Sequence, residues 1–127
     1  MLGDKPVAAS LAVKDISAAR DFYEGTLGLA PMMEIPDGVI YRSGPAAVLV
    51  YESRFAGTNQ ATAATWAVGE EFDAVVDELR QKGVTFERYD DLPDTTRDGD
   101  VHHFGELKSV WFKDPDGNIL NIGNAAV

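Results

Sequence analysis

The sequence predicts an α+β fold made of two βαβββ modules. Three observations carry this. A period-two apolar strand, an amphipathic helix and a terminating glycine occur in that order twice. The two copies are in register, because Val13 and Val68 lie 55 positions apart and so do Gly28 and Gly83. Short apolar runs separated by turn residues follow each copy, and the last pair, residues 110–122, flanks Asp114-Pro115-Asp116-Gly117-Asn118. There Pro115 presets φ for a turn, Gly117 tolerates a positive φ, and Asp and Asn close turns through their side chains, which reads as a β-hairpin. A repeat of this length is two copies of one supersecondary unit.

Taken in order, Val7, Ala9, Leu11 and Val13 alternate with Ala8, Ser10 and Ala12, a strand whose second face is unusually small. Asp15 or Ser17 can cap the helix that follows. Ile16, Ala19, Phe22, Tyr23 and Leu27 fall at helical spacing and Gly28 occupies the C′ position, so a helix is expected over 16–27 with Gly25 weakening its last turn. Strands are expected at about 32–35, 39–43 and 47–52, separated by Pro36-Asp37-Gly38 and Ser43-Gly44-Pro45. Residues 53–62 are polar and aperiodic and read as a linker. Ala64, Trp66 and Val68 then alternate with Ala63, Thr65 and Ala67. Glu70 and Glu71 suit a helix N-terminus. Phe72, Val75, Val76 and Leu79 form the apolar stripe of a helix over 70–82, which Gly83 ends. A strand at 85–89 and the final hairpin complete the second copy. Trp111 matches Ile40 at a distance of 71 positions, so the second module carries 16 extra residues, all within 90–107. Rich in Asp, Gly and Thr, this insertion reads as a solvated, mobile loop that can cover a site. The expected organisation is one domain over 1–127, with module one at about 7–52, a linker at about 53–62, module two at about 63–124, and eight main strands.

Composition bounds the function. The 127 residues suffice for one domain with a real core. Eleven Lys and Arg against 21 Asp and Glu give a formal charge of −10, a field that repels nucleic acid and anionic membranes. Neither a membrane span nor a signal peptide is expected, and a cytoplasmic location is the default. With no cysteine, disulfides and thiolate metal sites are excluded. No Gly-rich phosphate loop, nucleophile elbow or nucleic-acid motif occurs.

The two modules, the run Phe22-Tyr23-Glu24-Gly25-Thr26-Leu27-Gly28-Leu29 and the Lys113-Asp114-Pro115-Asp116-Gly117-Asn118 hairpin together resemble the vicinal oxygen chelate superfamily, the glyoxalase, bleomycin-resistance and extradiol-dioxygenase group. The resemblance spans about residues 7–122. It implies curved mixed sheets around a ligand-binding cleft, with helices outside, and often a homodimer. In metal-dependent members, four strand positions facing the cleft supply His, Gln or Glu ligands. Carried onto this chain they are Ala8, Val50, Ala63 and Asn121, and a slip on the fourth strand would offer Glu52. Alanine and valine have no donor atoms, and one amide oxygen cannot hold a divalent ion alone. No metal or other cofactor is therefore expected, and metal-dependent isomerisation, dioxygenation, epimerisation and thiol transfer are disfavoured.

The candidate ligand-binding residues are Ser10, Thr65, Asn121, Glu52, Trp111, His102, His103 and Phe104; no catalytic residue is assigned. Ser10 and Thr65 are equivalent under the 55-position offset and would face the cleft, either as ligand contacts or as small residues for close packing. Asn121 interrupts an apolar strand, where an unpaired amide would be costly. His102 and His103 are neighbours, so in an extended segment they point to opposite faces and are poorly placed to bind one ion. They either ride a solvated loop or bring one imidazole to the ligand. Trp111 and Phe104 flank the insertion. The reading that follows is metal-free binding of a small, partly apolar molecule, with drug or metabolite sequestration as the bleomycin-resistance-like possibility. The alternative is a glyoxalase- or dioxygenase-like enzyme, a lyase or isomerase, acting on a small metabolite with Glu52 or a histidine as acid or base.

Overall fold

The computed structural model describes residues 1–125. The first strand, β1 (Ala9–Val13), leads into α1 (Ile16–Arg20), whose N-cap is Asp15: its carboxylate accepts the Ser17 N–H at 2.9 Å. The helix does not continue regularly. It widens into a π-helical turn over Asp21–Thr26, with the Leu27 N–H donating to the Phe22 carbonyl at 2.9 Å. Gly25 sits inside this widened turn, and Gly28 ends it at φ +73°. Three strands follow, β2 (Ala30–Ile35), β3 (Gly38–Ser43) and β4 (Ala46–Glu52). The sheet order is β1-β4-β3-β2, with β1 parallel to β4 and the other pairs antiparallel. Leu11, Val13, Val39, Tyr41, Val48 and Val50 share its buried face, together with Ala19 and Tyr23 from the helical segment. β2 is an edge strand, bulged between Pro31 and Met33, and Met32 and Met33 on it are half exposed.

The second module repeats this order with an addition. β5 (Thr62–Ala67) precedes a 3₁₀ turn at Gly69–Glu71 and α2 (Phe72–Gln81), then β6 (Phe86–Glu87). β9 (Leu107–Lys113) and β10 (Ile119–Gly123) form the final hairpin. The order β5-β10-β9, with β6 on the far side of β9, matches β1-β4-β3-β2 of the first module. The extra piece is β7 (Thr96–Asp98) and β8 (Val101–Phe104), which lengthen the sheet as β9-β8-β7. The insertion is thus partly a hairpin, where the sequence suggested a loop, and it raises the expected eight strands to ten among the described residues. Asp98 pairs with Val101 across Gly99-Asp100, and only Gly99 has positive φ, +61°, the first-position glycine of a type II′ turn. Phe72, Val76 and Leu79 of α2 lie in the core with Phe86, Val110, Phe112, Leu120 and Ile122. Among the described residues, no helix is long and apolar enough to cross a membrane.

The chain clusters into two compact units, Met1–Ala63 with Asp114–Asn118, and Ala64–Lys113 with the residues from Ile119 onward. The Asp-Pro-Asp-Gly-Asn turn thus groups with the first unit. Its anchor is Asp114, 4% exposed. One carboxylate oxygen accepts the backbone N–H groups of Asp116 and Asn118 at 2.9 and 2.8 Å. The other accepts the Tyr23 hydroxyl at 2.6 Å and the Asn118 amide at 2.7 Å, and that amide also donates to the Ala12 carbonyl at 2.7 Å. The buried charge is met by four donors, as such a charge requires. Segment 53–62 is less of a linker than its composition suggests. The Ser53 N–H donates to the Val13 carbonyl, Ala56 is buried, and a Cβ at Gly57 would stand 2.6 Å from the Asp116 carbonyl oxygen.

Candidate functional site

Strand pairing decides which side chains share a face. In the second unit, Val110 and Phe112 of β9 pair with Ile122 and Leu120 of β10, and all four are buried. The opposite, open face of the same strands carries Ser109 and Trp111 on β9 and Asn121 on β10, with Asn121 directly across from Trp111. Pairing extends this face to His102 on β8, opposite Ser109, to Arg97 on β7, opposite His102, and to Glu87 on β6, opposite Trp111. Phe104 shares parity with His102. His103 pairs with Lys108, so it lies on the other face, toward the side where the Lys108 ammonium approaches the Phe72 ring. The two histidines do point opposite ways, and only His102 belongs to the open face.

His102 is fully buried. Its Nε2 accepts the backbone N–H of Tyr89 at 2.9 Å, so that nitrogen carries no proton and the neutral ring bears its proton on Nδ1. Nδ1 is buried and has no hydrogen-bond partner. Two aromatic rings stand against the imidazole: Trp111 edge-to-face at 4.9 Å between centroids, and Tyr89 at 5.8 Å. Tyr89 and Trp111 also meet each other edge-to-face at 5.5 Å. Asn121 is 7% exposed and is held by its own sheet, its amide donating to the Val110 carbonyl at 3.0 Å and to Ser109 Oγ at 3.3 Å.

The charges around this face are paired. Arg97 grips Asp90 through two nitrogens at 2.7 and 3.2 Å and donates to the Gly99 carbonyl at 2.7 Å. The Arg97 hydrogen bonds hold the Asp90 carboxyl below its ordinary value. Lys113 meets Glu87 at 3.2 Å. Burial, then the Glu87 charge, push the Tyr89 phenol up. Just outside, Arg80 and Arg88 converge on Asp100 in the β7–β8 turn at 3.1 and 3.0 Å. Burial opposes the charge on Asp100, yet those two guanidinium groups hold its carboxyl below the ordinary range.

The remaining sequence candidates fall elsewhere. Ser10 is exposed on the open face of the first sheet, and Thr65 is exposed on β5. Glu52 is not on an open sheet face. It pairs with Val13, on the side of Val50, and its Oε2 accepts the Ile16 N–H at 3.2 Å. With Lys14, Asp37, Ser53 and Arg54 it lines a shallow groove of about 360 Å³ that no aromatic ring enters. Pairing also corrects the fourth ligand position. Val50 pairs with Val39 and Leu11 in the first core, and the open-face residue of β4 equivalent to Asn121 is Leu49. The reason is turn length: five residues separate the pair Lys113 and Ile119, whereas four separate Arg42 and Ala47. The set becomes Ala8, Leu49, Ala63 and Asn121. It still holds a single donor side chain, Asn121, which offers one neutral amide oxygen, and among the described residues no three His, Asp or Glu side chains come together to hold a metal ion. The residues present do not fit a metal centre.

The sequence profile of the Glyoxalase/Bleomycin resistance protein/Dioxygenase superfamily matches residues 5–122, and the chain belongs to that superfamily. No curated protein sequence matches it. Among solved structures, it is similar to a glyoxalase family protein from Enterococcus faecalis at 18% identity and TM-score 0.72, covering 97% of this chain and 99% of the other. It is similar to a lactoylglutathione lyase from Agrobacterium tumefaciens at 18% identity and TM-score 0.69, covering 95% and 94%. A third similar structure is the fosfomycin resistance protein FosX from Mesorhizobium loti, at 11% identity and TM-score 0.68, covering 98% and 94%. At these identities the likeness is one of fold, and the residues of this chain must carry any functional reading.

Proposed function

We propose that the protein binds a small, partly aromatic molecule on the open face of its second sheet, without a metal ion. The observation that carries the reading is the donor set: Ala8, Leu49 and Ala63 offer no ligand atoms where metal-dependent relatives need them. The face itself supplies ring surface from Trp111 and Tyr89 and polar groups from His102, Asn121 and Ser109. That mixture of apolar wall and few polar atoms suits a small-molecule site. Of the sequence candidates, His102, Trp111, Asn121 and Phe104 belong to this face, while Ser10, Thr65, Glu52 and His103 have weaker claims from their placement. An acid–base enzyme is disfavoured, because the Nε2 lone pair of His102 is committed to a backbone N–H. The proposed assembly is a homodimer, as the superfamily resemblance suggests.

Native mass spectrometry of protein purified from its own host tests the reading. The expected result is a retained organic molecule, metal well below one equivalent, and unchanged retention after treatment with a chelator. Near-stoichiometric zinc, iron, nickel or manganese, with loss of the bound molecule when it is stripped, would overturn it. Chemical conversion of the bound molecule on prolonged incubation would favour the enzyme reading instead.

A further inference from the structure

Among buried side-chain polar atoms of the described residues, His102 Nδ1 is left without a partner. A buried donor in that state costs stability and calls for an explanation. Its tautomer is set by the Tyr89 N–H on Nε2, so the proton stays on Nδ1 and the group can only donate. The ring centroids of Trp111 and Tyr89 lie within 6 Å of the imidazole centroid, so a bicyclic ligand whose acceptor meets Nδ1 has both rings within reach. Arg97 is occupied by Asp90 and Gly99, and Lys113 by Glu87, so these cations of the face are already engaged and do not balance an added anion. The chain as a whole carries −10.

We propose that His102 is the specificity-determining donor of the site, and that the ligand it selects is a planar, uncharged molecule presenting a carbonyl oxygen to Nδ1 against Trp111 and Tyr89. This rests on the binding face proposed above and narrows its ligand. Nδ1 is covered in the free protein. Tyr89 lies outside any strand, and entry of the carbonyl requires the groups that cover Nδ1 to move aside. The acceptor then relieves a donor that the fold leaves unpaired. A ligand without an acceptor leaves it unpaired still, and that difference is the source of discrimination.

Three bicyclic probes of similar size separate the terms: coumarin, neutral with a carbonyl; naphthalene, neutral without an acceptor; and 2-naphthoate, an anion. NMR titration of the intact protein reads both affinity and the Nδ1 proton. The expected result is that coumarin binds roughly tenfold or more tightly than either of the others, moves the His102 Nδ1 proton downfield and shifts the Trp111 indole. His102→Phe should bring coumarin to parity with naphthalene. Because loss of the Nε2 contact could unfold that variant, the wild-type proton shift is the deciding measurement. Equal affinity for the three probes, or coumarin binding with the Nδ1 proton unmoved, would overturn the role of His102 and leave the binding face standing. If none of the three perturbs Trp111, Tyr89 or His102, the binding face falls too.

Discussion

Tyr23 and Asp114 are 91 positions apart in the chain and 2.6 Å apart at their oxygens. They belong to the two sequence signatures of the superfamily resemblance, the Phe-Tyr-Glu-Gly run and the Asp-Pro-Asp-Gly-Asn turn. Their contact gives those signatures a structural cause: one buried carboxylate orders the turn, and the phenol O–H donates to it and stabilises its charge. Tyr23→Phe removes a hydrogen bond to a buried charge and should lower stability by about 2 kcal/mol, read as a lower urea midpoint with an unchanged m-value. Burial first, then the Asp114 charge, push the Tyr23 phenol well above its ordinary value of 10.0. The sign of the pH effect follows. Above about pH 10 the unfolded chain releases this proton and the folded one retains it, so stability falls as pH rises. The contribution is complete below that pH. The Tyr23→Phe variant should show a shallower alkaline decline than wild type; parallel declines would mean that the phenol is not the titrating group.

At the scale of elements, the insertion is the instructive case. Its polar composition concealed a hairpin because β7 and β8 are three and four residues long, too short to display a period. The legible signal was Asp98-Gly99-Asp100, a two-residue turn with glycine in the first central position. The hairpin is held at its tip by Arg80 and Arg88 on Asp100, and the folded carboxyl is held below the ordinary 3.8. A depressed carboxyl stabilises above its unfolded value and loses that contribution as pH falls through the folded one. Asp100→Asn should therefore flatten the acid limb of stability below about pH 4, and it should speed amide exchange in Val101–Phe104 at neutral pH. Salt should shrink the difference, since the carboxylate is partly exposed. Unaltered exchange across β8 in the variant would show that the ladder to β9 suffices without the ion pairs. The same scale explains the misplaced fourth ligand position. The 71-position offset holds from Ile40 to Trp111, but the second hairpin turn carries one residue more, and in a strand one residue exchanges the faces.

Across the whole molecule, the repeat was the legible feature, because both copies keep the spacing of strand, helix and glycine, and the sheet orders repeat accordingly. The candidate site was legible in part. Trp111 and Asn121 stood out as an aromatic and an amide within apolar runs, and His102 as one of two histidines. Tyr89 and the orphaned Nδ1 did not, since cross-strand neighbours and tautomers have no trace in a single sequence. Charge is the other whole-molecule property. Exposed ion pairs such as Lys82 with Glu78 contribute between about 0 and 1 kcal/mol each and weaken with salt. Against them stands the excess of 21 acidic over 11 basic side chains, a net charge of −10 that no ion pairing within the chain cancels. Its self-repulsion also weakens with salt, in the opposite sense, and an imbalance this large should win. The thermal midpoint at pH 7 should therefore rise as sodium chloride goes from about 10 to 150 mM, the range over which the screening length drops from about 30 to 8 Å. The proposed dimer, twice the 13.7 kDa chain, should tighten over the same range in sedimentation equilibrium, because two chains of −10 repel across any shared surface. A midpoint that falls with salt would mean that the surface ion pairs outweigh the excess charge, and Asp100 with its two arginines would then be the first place to look.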